Sequence, residues 1–218
     1  MPDHPSARRP LKTRSSGLAI ALARLLTRWR VPPNAISVAS LVFALTGALA
    51  MFAAVPGGPL GQRATLLVAA AACIQLRLLC NLLDGMVAVE GGLGTRTGAV
   101  FNELPDRLAD PLLIVPAGYL TGVAWGPELA WITGLLALLT ASIRLLGASL
   151  GLPQDFQGPM AKPHRMATLT LGLLFAALST PLSLEGSVLL VTLLVLLIGT
   201  GLTAVRRTRT LLRCLVSP

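Results

Sequence analysis

Six apolar stretches, at roughly 35–55, 63–90, 99–122, 126–150, 165–182 and 186–205, follow one another through this 218-residue chain with only short breaks between them. Each holds about 20 residues or more, and at ~1.5 Å of rise per helical residue each reaches across the ~30 Å of hydrocarbon in a bilayer. Lipid offers no hydrogen bonds to a backbone, so a spanning segment must be a helix or part of a closed barrel. Barrel strands are shorter and alternate in polarity, whereas these segments are continuous runs of Leu and Ala. With 54% hydrophobic residues and only 12% charged, the chain has too little polar surface for a soluble domain. The expected fold class is all-α integral membrane, with six transmembrane helices. The breaks "VPGGPLG", "GGLGTRTG", "GVAWGPE", "GLPQDFQGPMAKP" and "TPLSLEG" carry the Gly and Pro that punctuate helices.

Ahead of the first span, residues 1–14 are rich in Pro, Arg and His and are expected to be disordered. Over 15–31, Leu18, Leu22, Leu25, Leu26 and Trp29 recur at helical spacing against Arg24, Thr27 and Arg28, which predicts an amphipathic interfacial helix before the bundle. Its apolar run is cut by Arg24 and lacks a small-residue cleavage site, so it is read as retained rather than as a signal peptide. The span region 32–206 is expected to form one six-helix catalytic domain, followed by a basic cytoplasmic tail at 207–218.

The net charge of +9 does not point to nucleic acid, because the basic residues cluster at segment ends rather than forming one face. The N-terminal segment, the 90–98 and 151–164 connections with their helix ends, and the tail hold nearly all of them, while Arg63 stands alone on the other side. By the excess of Lys and Arg on cytoplasmic loops, both termini and these two loops face the cytoplasm, and a bacterial inner membrane is the expected location. Cys73, Cys80 and Cys214 are isolated, with neither a Cys-x-x-Cys pair nor a partner His, so no zinc site or disulfide framework is indicated.

Against this apolar background, five of the nine acidic residues fall between 81 and 110: Asp84, Glu90, Glu103, Asp106 and Asp110. A carboxylate at the centre of a span costs roughly 2.5–3.5 kcal/mol on insertion scales, so something must offset it. Asn81 and Asp84 lie three apart on the second helix, and Asn102, Asp106 and Asp110 lie four apart on the third, so each helix carries a stripe of oxygen donors. The short reversal between them lets the stripes face one another. Carboxylates and amide carbonyls so placed are hard oxygen ligands for Mg²⁺, Mn²⁺ or Ca²⁺. Gly85, Ala88 and Gly98 would allow close approach of a helix or a flat nucleotide. Interhelical polar contact fits the same spacing, with Asp84 and Asp106 paired to Arg77 and Arg107.

These positions resemble the CDP-alcohol phosphotransferase (CDP-alcohol phosphatidyltransferase) family, whose pattern is Asp-x2-Asp-Gly-x2-Ala-Arg-x8-Gly-x3-Asp-x3-Asp. Here the same intervals run Asn81, Asp84, Gly85, Ala88, Val89, Gly98, Asn102, Asp106. Asn replaces the first and third Asp, and Val89 replaces the Arg. The resemblance extends to the surface helix, "PPNAIS", the six spans and "GPMAKPHR".

The resemblance implies a transferase that moves a phosphatidyl group from a CDP-linked donor, CDP-diacylglycerol in the first instance, to a hydroxyl acceptor with release of CMP, in phospholipid biosynthesis. It implies Mg²⁺ or Mn²⁺ as cofactor, held by Asp84 and Asp106 with Asn81 and Asn102. Asp110 is the expected replacement for a lost ligand. Asp106 is the implied catalytic base, Gly85, Ala88 and Gly98 shape the nucleotide pocket, and homodimers are common in the family. Arg144, Lys162 and Arg165 could converge on the same mouth and bind an anionic acceptor or the lipid phosphate. The alternative is a degenerate relative that binds CDP-lipid or metal without turnover. A transporter is disfavoured, since the acids crowd one mouth and the cores of the last two spans hold no ionisable residue.

Overall fold

The computed structural model describes residues 16–55 and 57–216; the expectation for 1–14 and the last two residues of the tail lie outside them. Seven α-helices are described: α1 (Gly17–Arg28), α2 (Pro33–Ala53), α3 (Leu60–Val89), α4 (Gly98–Tyr119), α5 (Gly126–Ser149), α6 (Lys162–Ser179) and α7 (Glu185–Val216). A single 3₁₀ turn, Thr180–Leu182, follows α6. Ser16 caps α1 by accepting from the Ala19 amide at 3.3 Å, and α2 and α6 have Pro in the first turn, where no amide donor is needed. α7 runs straight through Arg206 and Arg207 to Val216, so the separate tail expected from residue 207 is the continuation of a helix. A break in hydrophobicity marks where a helix leaves an apolar environment, not where its backbone hydrogen bonds stop.

Five helices, α2, α3, α5, α6 with its 3₁₀ turn, and α7, are long and apolar enough to cross a membrane. α4 is the exception to the six expected, because it carries Asn102, Glu103, Asp106, Arg107 and Asp110 together with Pro105, Pro111 and Pro116.

Helices α2 to α7 close into a ring in the order α2, α3, α6, α7, α5, α4, each packed on the next and α4 returning to α2. Successive helices run in opposite directions. The C-terminal ends of α3, α5 and α7 therefore meet the N-terminal ends of α2, α4 and α6, and the acidic stretch lies at this end. At the opposite end, Arg63 of α3 and Glu185 of α7 form a buried ion pair.

The ring interior is built from small residues, among them Ala44, Ala70, Ala109, Ala117 and Ala130, filled out by Met51, Ile74, Leu113, Leu169 and Leu193. Small side chains let backbones approach closely where no water-driven force squeezes helices together. Gly47 shows how closely: a Cβ there would sit 3.1 Å from Cys73 Cβ and 3.1 Å from a Leu113 methyl, where α2, α3 and α4 converge. At Gly118 a Cβ would lie 2.5 Å from the Ala130 methyl and from the Gly126 carbonyl, so the start of α5 requires glycine on α4.

The outer surface is apolar, with Val38, Val42, Leu45 and Leu49 on α2 and Val191, Val195, Ile198 and Leu202 on α7 exposed along single faces. This is a lipid-facing belt, the arrangement a soluble protein avoids. α1 lies against the end of α3, burying Ala19 and Ala23 on Leu83, Met86 and Val87, while Leu18 and Trp29 stay exposed.

Candidate active site

The acidic end is organised by the facing stripes of α3 and α4. α3 delivers Arg77, Asn81 and Asp84 on one side; α4 answers with Asp106 and Asp110. The Asn81 side-chain amide donates to Asp106 Oδ1 at 2.5 Å. An Asp at this position would have no proton to give, and two carboxylates would oppose one another; the amide lets the two stripes touch. Asp84, buried at the next turn of α3, is held by α2: Ser37 Oγ donates to its Oδ2 at 2.6 Å. The α3–α4 loop is tied to α2 as well, since Asn34 Nδ2 donates to Thr97 Oγ1 at 3.1 Å.

Asp106 is enclosed by three donors. Besides Asn81, it meets Arg77 Nη2 at 3.3 Å and the ammonium of Lys162, which contacts Oδ2 from the first turn of α6. One turn deeper, Asp110 sits between two guanidinium groups. Its Oδ1 accepts from Arg77 Nη2 at 2.9 Å, and its Oδ2 accepts from Arg165 Nη2 at 2.8 Å and Nε at 3.3 Å. Arg77 is fully buried, with Nε and Nη1 left without a hydrogen-bond partner, and Arg165 extends to Thr140 Oγ1 and the Met160 carbonyl, both at 3.1 Å. α3, α4 and α6 are thus clamped through one carboxylate.

At the rim, Glu103 of α4 places both carboxylate oxygens 2.8 Å from Arg144 Nη2 of α5. Arg144 also donates to the Gln154 side chain and lies over the Phe156 ring, 5.3 Å from its centroid. Arg107 approaches Glu103 from one helical turn away at 4.0 Å. Arg207 of α7 donates to the carbonyls of Thr140 at 2.8 Å and Gln157 at 2.9 Å.

Asn81 and Asp106 meet, with Asp84 one turn further along α3, and Gly85, Ala88 and Gly98 lie half-buried around the α3–α4 turn. Asn102 is exposed at the rim. Asp110, expected as the replacement for a lost metal ligand, has both oxygens against guanidinium groups and is an ion-pair partner of Arg77 and Arg165. Arg77 bonds across to α4 rather than along its own helix to Asp84, and Arg107 takes Glu103, not Asp106. Arg144, Lys162 and Arg165, expected to meet an anionic acceptor, each meet a carboxylate of the chain itself. The sequence reading did not single out Ser37 or the Glu103–Arg144 pair. The placement of Ser37 within "PPNAIS", one turn after Asn34, was the available signal for the former.

Among the described residues, no three His, Cys, Asp or Glu side chains cluster closely enough to hold a metal on their own. A cavity of about 730 Å³ lies away from the acids, between α6 and α7, lined by residues such as Leu171, Phe175, Val188 and Val195. Its walls carry no ionisable side chain, so it is an apolar groove and not a reaction chamber.

A bundle of apolar helices with paired polar stripes at one mouth defines an integral-membrane protein, and the sequence comparison makes the class specific. The family model for CDP-alcohol phosphatidyltransferase matches residues 30–205, and the chain belongs to that family. The chain is 31% identical over 157 residues to the phosphatidylinositol phosphate synthase of Mycobacterium marinum, a match that covers 69% of this chain and 62% of that protein. It is 30% identical to the Escherichia coli inner membrane protein YnbA over 64% of this chain and 65% of that one. The Mycobacterium tuberculosis phosphatidylinositol phosphate synthase with CDP-DAG bound superposes with a TM-score of 0.72 at 24% identity, covering 90% of this chain and 94% of the other. The same enzyme in complex with manganese and citrate gives 0.71. These last two show a shared fold.

Proposed function

We propose that the chain transfers a phosphatidyl group from a CDP-linked lipid, CDP-diacylglycerol in the first instance, to a hydroxyl acceptor and releases CMP, at the cytoplasmic face of a bacterial inner membrane. The observation that carries this reading is the meeting of Asn81 and Asp106 across α3 and α4 at 2.5 Å, with Asp84 beside them, at the helix end richest in Arg and Lys. The family has its reactive positions at these places in the pattern, and the excess of basic residues there orients that end inward.

The donor set fits one hard divalent cation. Asp84 and Asp106 would supply carboxylate oxygens and Asn81 an amide carbonyl, with Asn102 one turn from Asp106 at the exposed rim, donor types that suit Mg²⁺ or Mn²⁺. Bound there, the ion would offset the negative charge of the diphosphate and polarise the phosphoryl oxygen under attack.

The remaining work falls to the side chains. Ser37 orients Asp84. Asn81 and Arg77 hold Asp106 through Oδ1, while Lys162 covers Oδ2. A donor diphosphate entering the mouth competes for the Lys162 ammonium, which uncovers Oδ2 for the acceptor. The acceptor oxygen then bonds to the β-phosphorus, and the bond from that phosphorus to the bridging oxygen breaks. CMP departs with the electron pair and the hydroxyl proton passes to Asp106. Gly85, Ala88 and Gly98 leave room beside the backbone for the nucleotide.

The test is CMP release from CDP-diacylglycerol by the purified full chain with Mg²⁺ or Mn²⁺. Asp106→Asn should lower turnover by ~10² or more, the effect of losing a general base, while metal-dependent donor binding persists. Asp84→Asn should instead lose that binding. Donor binding without CMP release by the wild type, with release gained by Asn81→Asp combined with Asn102→Asp, would replace transfer with the degenerate-binder reading.

A further inference from the structure

Four basic side chains at the mouth share three of the chain's own carboxylates. Lys162 contacts Asp106, Arg165 contacts Asp110, Arg77 contacts both, and Arg144 contacts Glu103. Arg207 is directed at the backbone carbonyls of Thr140 and Gln157. Of these, Arg144 is the cation paired with Glu103 at the rim, and its position is tightly built. The ring of Phe156 supports one face, Gln154 takes one terminal nitrogen, and Glu103 chelates the other with both oxygens at 2.8 Å. The side chain of Arg144 is only 14% exposed, whereas that of Glu103 is 34% exposed. What solvent sees at this point is therefore more the carboxylate than the guanidinium.

A phosphate dianion recognises an arginine through the same edge and geometry as a carboxylate does. To reach Arg144 it must expel Glu103 or sit against its negative charge, and like charges brought together at a partly desolvated site strongly disfavour binding. A hydroxyl or an ammonium meets no such conflict, because Glu103 has lone pairs to offer either.

We infer that Glu103 fills the anion seat of Arg144 and that the acceptor is therefore an alcohol carrying no phosphate, a neutral polyol or an amino alcohol. The acceptor assignment rests on the transferase reading; the closure of the seat does not. It separates this chain from relatives named for a phosphatidylinositol phosphate product, and makes Glu103 a specificity-determining residue rather than a catalytic one.

The experiment has two arms, both on the full chain in detergent with Mn²⁺. In the first, CMP release from CDP-diacylglycerol is measured with paired acceptors, myo-inositol against inositol phosphate and glycerol against glycerol 3-phosphate. The wild type should favour the unphosphorylated member of each pair in kcat/KM by about tenfold or more, and Glu103→Gln should shift the ratio toward the phosphorylated member by about the same factor. Glu103→Asp, which keeps the charge, should retain the wild-type preference.

In the second arm, binding of inositol phosphate is read directly by calorimetry. Glu103→Gln should bind about tenfold more tightly than wild type. Adding Arg144→Gln should abolish that gain. Preference of the wild type for a phosphorylated acceptor, or equal inositol phosphate affinity in wild type and Glu103→Gln, overturns the inference. Absence of CMP release with all four acceptors, and with serine and ethanolamine, in both proteins overturns the transferase reading instead, and the binding arm still decides whether Glu103 closes the seat.

Discussion

Replacing Asp110 by Asn separates the role the structure gives this residue from that of a metal ligand. Asp110 accepts from Arg77 at 2.9 Å and from Arg165 at 2.8 Å, and all three residues are buried. The amide keeps the shape and one acceptor oxygen, but turns an N–H pair toward the second guanidinium, so donor faces donor and two buried positive charges lose their shared counter-charge. Hydrogen bonds to charged groups are worth about 1.5–3 kcal/mol each, and breaking a buried pair by neutralising one partner costs about 3–5 kcal/mol. A loss near 4 kcal/mol is expected, since Asp106 still neutralises part of Arg77. For a chain of this size each kcal/mol moves the melting point by ~2–4 °C, so Asp110→Asn should melt about 8–16 °C lower. The assay is thermal unfolding in detergent without divalent ions, followed by the fluorescence of Trp29, Trp125 and Trp131. A variant melting within about 2 °C of wild type, yet binding Mn²⁺ at least about tenfold more weakly, would refute the clamp and restore Asp110 to the metal site.

Three further outcomes follow from other contacts. Asn81→Asp exchanges a donated hydrogen bond for a second carboxylate against Asp106 and should destabilise the metal-free protein by about 1.5–3 kcal/mol, with most of the loss recovered by millimolar Mn²⁺ in the same melt. Gly118→Ala forces a methyl against Ala130 and the Gly126 carbonyl, and should lower stability by about 1–3 kcal/mol without altering Mn²⁺ affinity. At the far end, Arg63→Met should cost about 3–5 kcal/mol by stranding Glu185, while the double change with Glu185→Met should regain most of it because no buried charge remains. A double variant as unstable as the sum of the single changes would show that the pair is not coupled.

How much could be read beforehand depended on whether a feature is local in the chain. Helix limits set by Gly and Pro, such as the start of α5 at Gly126, were legible because those residues act on their own backbone. That the polar stripes of α3 and α4 can face one another was legible too, since only a short turn separates the two helices. The destinations of Arg77, Arg144, Lys162 and Arg165 were not. They depend on the ring order α2, α3, α6, α7, α5, α4, which places α6 beside α3 and α5 beside α4, and interior faces lined with much the same Ala and Leu do not encode neighbours. Spacing identifies the face of a helix from which a long cation departs, but not the helix at which it arrives.

α4 carries a consequence for how the protein is made. Synthesis proceeds from the N-terminus, so when α4 leaves the ribosome Arg77, already in α3, is the one cation of these pairs at hand to receive Asp106 and Asp110, with Asn81 beside it as a neutral donor to Asp106. Glu103 waits for Arg144, and the other partners of Asp106 and Asp110, Lys162 and Arg165, are translated more than fifty residues later. α4 is too polar to partition into lipid on its own merits. Its carboxylates gain their full set of cations only once α6 has emerged, so a chain arrested before Lys162 holds an incompletely neutralised helix.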